Sequence, residues 1–149
     1  MKVEEHVSAF AKLGEYFLKI ETDANFHEKI ISAKKHNGWF TETNVLYALK
    51  SLGESLSKEK LEKWITDYTL QSPNLQPLTV GVIMAGNIPC VGFHDFLCVL
   101  MSGNIIAMKL SSDDKILMKA VAEKLVDIEP RFSDKIIFTE KMKGMDAVI

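Results

Sequence analysis

The second half of this 149-residue sequence alternates short β-rich runs with helical patterns, and that alternation limits the folds open to the chain. The runs at 78–85, 104–110 and 135–139 are rich in β-branched and other apolar residues and are predicted strands. Helical periodicity fills both intervals between them, and residues 147–149 begin a fourth apolar run. This order predicts an α/β fold in which a Rossmann-like parallel sheet carries helices on both faces.

Residues that favour helix ends bound the helices between these strands. Pro89 suits the first position of the first helix, since its fixed φ is helical and it has no N–H to satisfy. Ser111 or Ser112 is the predicted N-cap of the second helix. Asp113 and Asp114 follow in its first turn, where the helix dipole favours negative charge.

The first half of the sequence shows helical periodicity alone and predicts three or four amphipathic helices. Residues 36–38 end one of them, because Asn and Gly accept the left-handed cap conformation. Thr41 is the predicted N-cap of the next helix, which Gly53 ends, and Ser57 caps the last one.

The composition changes near residues 72–77 and divides the chain into a helical region at 1–75 and a partial Rossmann-like region at 76–149. The sequence ends as GMDAVI, inside an apolar run. A terminal carboxylate on a buried strand is costly to desolvate. We therefore expect the second region to be truncated and the chain to be the front part of a longer protein.

Charge and composition exclude several classes of function. The net charge is -2, so no electrostatic field favours nucleic acid or an anionic membrane surface. No apolar run approaches the roughly 20 residues of a membrane span. The acidic N-terminal segment lacks the apolar stretch of a secretory signal. With only two cysteines and no other sign of secretion, the protein is expected to be cytoplasmic.

Cys90 and Cys98 are expected on one apolar helix. At that spacing they lie about 12 Å apart along the helix axis, which is too far for a disulfide. Both thiols are predicted to face the core. The histidines are scattered, and no CxxC or HxxxH spacing occurs, so no metal site is expected.

Three segments together resemble the aldehyde dehydrogenase superfamily: VGVIMAGNIP at 80–89, LMSGNIIAMKLSS at 100–112 and DKIIFT at 134–139. Within that superfamily, AGNIPCVGFHDFLCVLMSGN and MKLSSDD are similar to acyl-CoA reductases of the LuxC type. NGWFTETNV and LEKWITDY of the helical region are similar to them as well. The resemblance covers nearly the whole chain and is to the N-terminal part of these enzymes.

The resemblance implies a reaction and its partners. A cysteine thiolate takes a fatty acyl group from CoA as a thioester, and a nicotinamide cofactor, NADP in preference to NAD, delivers hydride to give the aldehyde. In the superfamily that cysteine lies far downstream, beyond Ile149. This chain alone is therefore expected to be inactive.

Two residues at the carboxyl ends of the strands, where ligands of parallel sheets bind, match superfamily positions. Asn87 matches the asparagine whose side-chain amide helps form an oxyanion hole. Taken alone, Asn87 also suits the turn before Pro89. Lys109 matches the lysine that contacts the adenosine ribose or phosphate of the cofactor, and taken alone it is also an ordinary solvated lysine.

The resemblance carries further cofactor contacts. Met84 and Ala85 would offer backbone groups. Ser111 and Ser112 stand where the superfamily often has Lys-Pro-Ser-Glu, so a neutral hydroxyl replaces a carboxylate that would repel a 2′-phosphate. That is compatible with NADP, and either serine also serves as a helix N-cap. Gly86 takes the place of a tryptophan common in other branches.

Other polar and aromatic residues receive structural interpretations. His94 and Asp95 are adjacent, so on a helix they diverge by about 100° and cannot form a relay. Trp39, Trp64 and Tyr68 are interpreted as a packing cluster rather than an acyl site.

Two alternatives stay open. The chain could be a non-catalytic interaction module, with the sheet edge after Ile149 pairing with another chain or a second copy. It could also be the front of another superfamily reductase that acts on an acyl phosphate, although the LuxC-like helices count against this.

Overall fold

The computed structural model describes residues 1–70 and 73–149, and Ser72 of the predicted change in composition lies outside them. In these ranges the helices are α1 Val3–Leu18, α2 Ala24–His36, α3 Glu42–Ser55, α4 Lys58–Ile65, α5 Phe93–Met101 and α6 Lys115–Ile128. The strands are β1 Thr79–Ile83, β2 Ile105–Lys109, β3 Ile136–Phe138 and β4 Ala147–Val148. Short 3-10 turns lie at Ile20–Thr22, Ser112–Asp114 and Pro130–Lys135.

The four strands form one parallel sheet in the order β3-β2-β1-β4. In the register of the central pair, Gly81 lies beside Ala107 and Ile83 beside Lys109. The prediction of an α/β fold with helices first and a Rossmann-like parallel sheet after them is confirmed. The strands are shorter than the apolar runs that predicted them.

The prediction of helices on both faces is wrong for the described residues. Val82 and Met108 on one face are fully buried, and α6 lines a cleft with Ile136 and Phe138 of that same face. On the opposite face Ile83 is 57% exposed and Val148 is 52% exposed. The steps β1 to β2 and β2 to β3 run in the same direction, so right-handed crossovers put both helices on one side.

The predicted N-caps Thr41 and Ser57 are confirmed. Thr41 Oγ1 accepts a hydrogen bond from the Asn44 N–H at 3.2 Å, and Ser57 Oγ accepts one from the Lys60 N–H at 3.4 Å. These bonds satisfy N–H groups that the helix itself leaves unpaired. Ser111 instead caps the 3-10 turn that precedes α6. The N-cap of α6 itself is Asp114, so neither Ser111 nor Ser112 has the predicted position.

The start of α5 differs from the prediction. The helix begins at Phe93, and residues 88–92 form turns in which Cys90 has a φ of 58°. Cys90 and Cys98 are therefore not on one helix. Both thiols are free. Cys90 is buried, as expected, but Cys98 is only partly buried, and its sulfur lies 3.5 Å from Nε2 of His94.

Gly53 does not end its helix, and α3 continues to Ser55. The residue is buried where α3 crosses α1. A Cβ added at Gly53 would lie 2.9 Å from the Gly14 carbonyl oxygen and 3.0 Å from Cγ of Leu18. The glycine is needed for the close approach of the two helices.

We expect Gly53→Ala to lower the free energy of unfolding by about 1–2 kcal/mol, because overpacking outweighs the better helix propensity of alanine. Urea denaturation measures this. Gly38→Ala is the control, since a Cβ there meets nothing within 4 Å, and its unfolding free energy should change little. A Gly53→Ala protein as stable as the parent would contradict the close contact of α3 with α1 at this residue.

The helices and the sheet share one continuous hydrophobic core. Phe10 of α1 is fully buried and meets Phe93, Phe96 and Phe132 edge-to-face, with ring centroids 6.4, 6.2 and 5.8 Å away. Edge-to-face pairs add to the hydrophobic gain of burying each ring. In residues 1–70 and 73–149 no helix has the length and apolar character required to cross a bilayer.

Candidate functional site

The carboxyl ends of β1 and β2 lie side by side. Ile83 is in register with Lys109, and the Met84 N–H donates to the Lys109 carbonyl at 3.0 Å. Asn87 belongs to the loop that leaves β1 at this edge. The sheet therefore brings the predicted oxyanion and cofactor residues to the same edge, as parallel strands require.

Gly86 brings the loop after β1 close to the connection that follows β2. A Cβ at Gly86 would lie 2.6 Å from Cβ of Ser111 and 3.1 Å from the backbone nitrogen of Asp114. No side chain fits there without movement, so a large residue such as tryptophan has no space at this position. The glycine sets the distance between the two loops.

Asp114 ties the two loops together. Its Oδ2 accepts a hydrogen bond from the Cys90 N–H at 2.6 Å, and the residue is 2% exposed. Its Oδ1 has no hydrogen-bond partner within the described part of the chain. Burial raises the pKa of this carboxyl to about 7, which outweighs the lowering by the N–H groups of Cys90 and Met118.

The interpretation of Asp114 as a negative charge in the first turn of a helix did not predict this role. The signal was available in the helical spacing. Positions 114, 117, 118 and 121 share one helix face, and Leu117, Met118 and Val121 are apolar and fully buried. An acidic residue at the start of such a face is a candidate for a buried hydrogen-bonding role.

Asn87 is exposed and lines a groove of about 430 Å³ between the loop 87–89 and α3. The lining residues are Trp39, Phe40, Asn44, Tyr47, Ala48, Ser51, Asn87, Ile88 and Pro89. The groove lies at the carboxyl end of β1, on the side of the helical region. Sequence reasoning did not place residues 39–51 beside Asn87.

The predicted aromatic packing cluster is only partly correct. Trp64 and Tyr68 pack edge-to-face with centroids 6.0 Å apart. Trp39 lies instead on the groove and is 82% exposed. It is therefore not a packing residue, because packing would have removed its ring from water.

The predicted cofactor residues differ in whether their polar groups are available to a ligand. Lys109 is partly exposed and Ala85 and Ser112 are exposed. Met84 is buried, and its N–H is already bonded within the sheet. Ser111 is partly buried, and its hydroxyl accepts a hydrogen bond from the Asp113 N–H at 3.2 Å. Lys109, Ala85 and Ser112 thus have groups available to a ligand.

Neither cysteine has the character of a reactive thiol. Burial raises the pKa of the Cys90 thiol well above its usual range, and the nearby Asp114 carboxyl adds to the effect. Burial and the charge of Asp95 raise the pKa of Cys98. Reactive cysteines have the opposite shift. In the described ranges no group of three or more His, Cys, Asp and Glu side chains is placed to hold a metal ion.

Comparison with known protein families gives one match. The family model for acyl-CoA reductase (LuxC) matches residues 3–137, which include α1 to α6, the strands β1 and β2, and most of β3. No curated protein matches the chain. The family match covers the loop with Asn87, the strand end with Lys109 and the helices that line the groove. The chain therefore belongs to the LuxC family of acyl-CoA reductases.

Proposed function

We propose that this chain supplies the oxyanion-stabilising and cofactor-binding groups of an NADPH-dependent reductase of the aldehyde dehydrogenase superfamily that converts fatty acyl-CoA to aldehyde. The observation that carries the proposal is the placement of Asn87 and Lys109 at the carboxyl ends of adjacent parallel strands. One group suits a developing negative oxygen, and the other suits a phosphate or ribose.

Asn87 is proposed to stabilise the oxyanion. When a thiolate attacks the thioester carbon, the carbonyl π electrons move onto oxygen, and the side-chain amide of Asn87 donates a hydrogen bond to it. Collapse re-forms the carbonyl and expels the CoA thiolate, leaving the acyl group on the enzyme. A preorganised donor of this kind contributes about 3 kcal/mol. The exposed position of Asn87 supports this, because its amide is open to a ligand.

The attacking thiolate is proposed to come from a cysteine outside these 149 residues. The raised pKa values of Cys90 and Cys98 support this, since each is held as the neutral thiol at physiological pH. The chain by itself is then inactive toward acyl-CoA. Aldehyde formation by the chain alone, lost in Cys98→Ser or Cys90→Ser, would overturn this part of the proposal.

The cofactor is proposed to bind at the same edge of the sheet. Lys109 would hold the adenosine ribose or 2′-phosphate, Ser111 and Ser112 would lie beside it, and Met84 and Ala85 would contribute backbone groups. When bound, the cofactor supplies the hydride that reduces the acyl group. A lysine together with neutral hydroxyls supports NADP over NAD, because neither repels a phosphate.

Replacing Lys109 with alanine should weaken NADPH binding by about tenfold or more, since a hydrogen bond to a charged group contributes about 1.5–3 kcal/mol. NADPH fluorescence titration of the 149-residue chain gives the dissociation constant. NADH should be affected less, because it lacks the 2′-phosphate.

Lys135→Ala is the matched control, since Lys135 is a partly exposed lysine at the amino end of β3, on the opposite edge of the sheet from Lys109. It should leave the dissociation constant unchanged. An unchanged value in Lys109→Ala would remove Lys109 from the cofactor site.

The two sequence regions are proposed to have separate tasks, with 1–75 shaping the acyl side of the site and 76–149 carrying the cofactor groups. A cytoplasmic location is proposed as well. The two free cysteines support it, because unpaired thiols are typical of reducing compartments.

A second candidate function is a non-catalytic interaction module. The observation that favours it is the exposed apolar face and edge of the sheet, where Ile83, Val148 and Ile149 are all more than half exposed. Light scattering of the chain distinguishes the two. A concentration-dependent dimer without NADPH binding would favour the module, and a monomer that binds NADPH would favour the reductase.

A further inference from the structure

The groove beside Asn87 has one wall made by a single stripe of α3. Asn44, Tyr47, Ala48 and Ser51 follow the spacing i, i+3, i+4, i+7, which places them on one helix face. Tyr47 is 76% exposed, so its ring is available to a ligand. A surface aromatic on such a stripe is not needed for the core.

The backbone of Trp39, which also lines the groove, is held in place by side-chain hydrogen bonds. The Trp39 N–H donates to Oδ1 of Asn37 at 3.1 Å, and the Trp39 carbonyl accepts from Nδ2 of Asn44 at 3.0 Å. Phe40, the next residue, is fully buried. The backbone of Trp39 is therefore fixed on both sides while its ring stays 82% exposed.

The lining indicates the chemistry of the occupant. No charged side chain of residues 1–70 and 73–149 lines the groove, so a phosphate or carboxylate has no ionic partner there. The apolar surface comes from Trp39, Phe40, Tyr47, Ile88 and Pro89. Its volume of about 430 Å³ is within the range of small-ligand sites. An aliphatic chain fits this lining, whereas a nucleotide does not.

We propose that this groove holds the hydrocarbon chain of the acyl substrate, with its carbonyl at Asn87, and that Trp39 and Tyr47 determine the preferred chain length. The inference rests on the proposed function and deepens it. The continuity of the groove with Asn87 supports it, because the reacting carbonyl and the chain attached to it must occupy connected space.

The test is calorimetric titration of the 149-residue chain with CoA and with saturated acyl-CoA esters of increasing length. Affinity should rise by up to about fourfold for each added methylene until the groove is filled. Tyr47→Ala and Trp39→Ala should each reduce the increase in affinity per methylene and leave the affinity for CoA unchanged. Tyr68→Ala removes an exposed tyrosine outside the groove and should keep the parental gain.

A second variant guards against a folding defect. Ala48→Leu adds volume within the groove on an existing helix, with a residue of good helix propensity. It should weaken binding of long esters and spare short ones. An equal increase in affinity per methylene in the parent, Tyr47→Ala and Ala48→Leu would overturn the groove assignment. A parent whose affinity does not rise with chain length would overturn it as well.

Failure of the groove and failure of the reductase proposal give different results. The groove assignment alone is overturned if the chain binds both acyl-CoA and NADPH, but Tyr47→Ala and Trp39→Ala do not alter the increase in affinity with each added methylene. The groove is supported if these variants abolish the increase in affinity with chain length. The acyl-CoA assignment is overturned if, in addition, the free fatty acid binds as tightly as its CoA ester.

Discussion

Replacing Phe10 with alanine is expected to lower the free energy of unfolding by about 3–5 kcal/mol. The ring is fully buried and meets three other phenylalanines, two from α5 and one from the turn after α6. Its loss leaves a cavity at the junction between the helical region and the sheet. Urea denaturation followed by circular dichroism and by tryptophan fluorescence measures the effect, and both signals should shift together.

Phe138→Ala is the matched control, because Phe138 is 44% exposed on the short strand β3. Its expected loss is under about 1.5 kcal/mol, since less apolar surface leaves water in the folded state. Separate transitions for the two signals in Phe10→Ala would mean that the helices and the sheet do not share a cooperative core. A Phe10→Ala loss no larger than that of Phe138→Ala would contradict the packing described here.

The second large effect concerns Asp114 and pH. Burial raises the pKa of Asp114 in the folded protein from 3.8 to about 7. Between these values the folded state keeps a proton that the unfolded state has lost, so stability falls as pH rises through this window. Asp114→Asn removes this dependence. From about pH 5 to pH 8 the parent should lose roughly 2–3 kcal/mol relative to the variant.

Urea denaturation of both proteins at the two pH values gives the difference. Comparing parent with variant at each pH cancels the shared titrations of other groups, and Cys90 is the titratable neighbour that remains in both. Ser112→Ala changes the same connection without removing an ionisable group and should show no such pH dependence. Equal pH dependence in the parent and Asp114→Asn would show that Asp114 does not titrate in this range.

Local patterns predicted much of this fold. The strands, the N-caps Thr41 and Ser57, and the approach of Asn87 and Lys109 at one sheet edge follow from residue type and from the properties of parallel sheets. The side on which the helices lie does not, because it depends on strand order. No local pattern encodes that β2 and β3 lie on one side of β1 in the sheet and β4 lies on the other.

The errors near the site have one physical origin, which is contact between distant segments. Pro89 suits a helix start, but the Cys90 N–H bonds to Asp114, 24 residues away, and the helix begins later. Trp39 was expected to pack, but residues 87–89 face it across the groove. Spacing along the chain describes which face a residue occupies and does not describe what lies opposite.

The position of β4 in the sheet has a consequence for the order of folding. The bond from the Thr79 N–H to Asp146 closes a loop of 67 residues, whereas the bond from the Leu78 N–H to Asn104, which joins β1 to β2, spans 26. Longer loops cost more entropy to close, and β4 offsets that cost with a short ladder, in which two residues are in register with β1 and Asp146 and Ile149 add backbone bonds. We therefore expect strand β4 to pair after the bond from the Cys90 N–H to Asp114, which spans 24 residues, and to open first on unfolding.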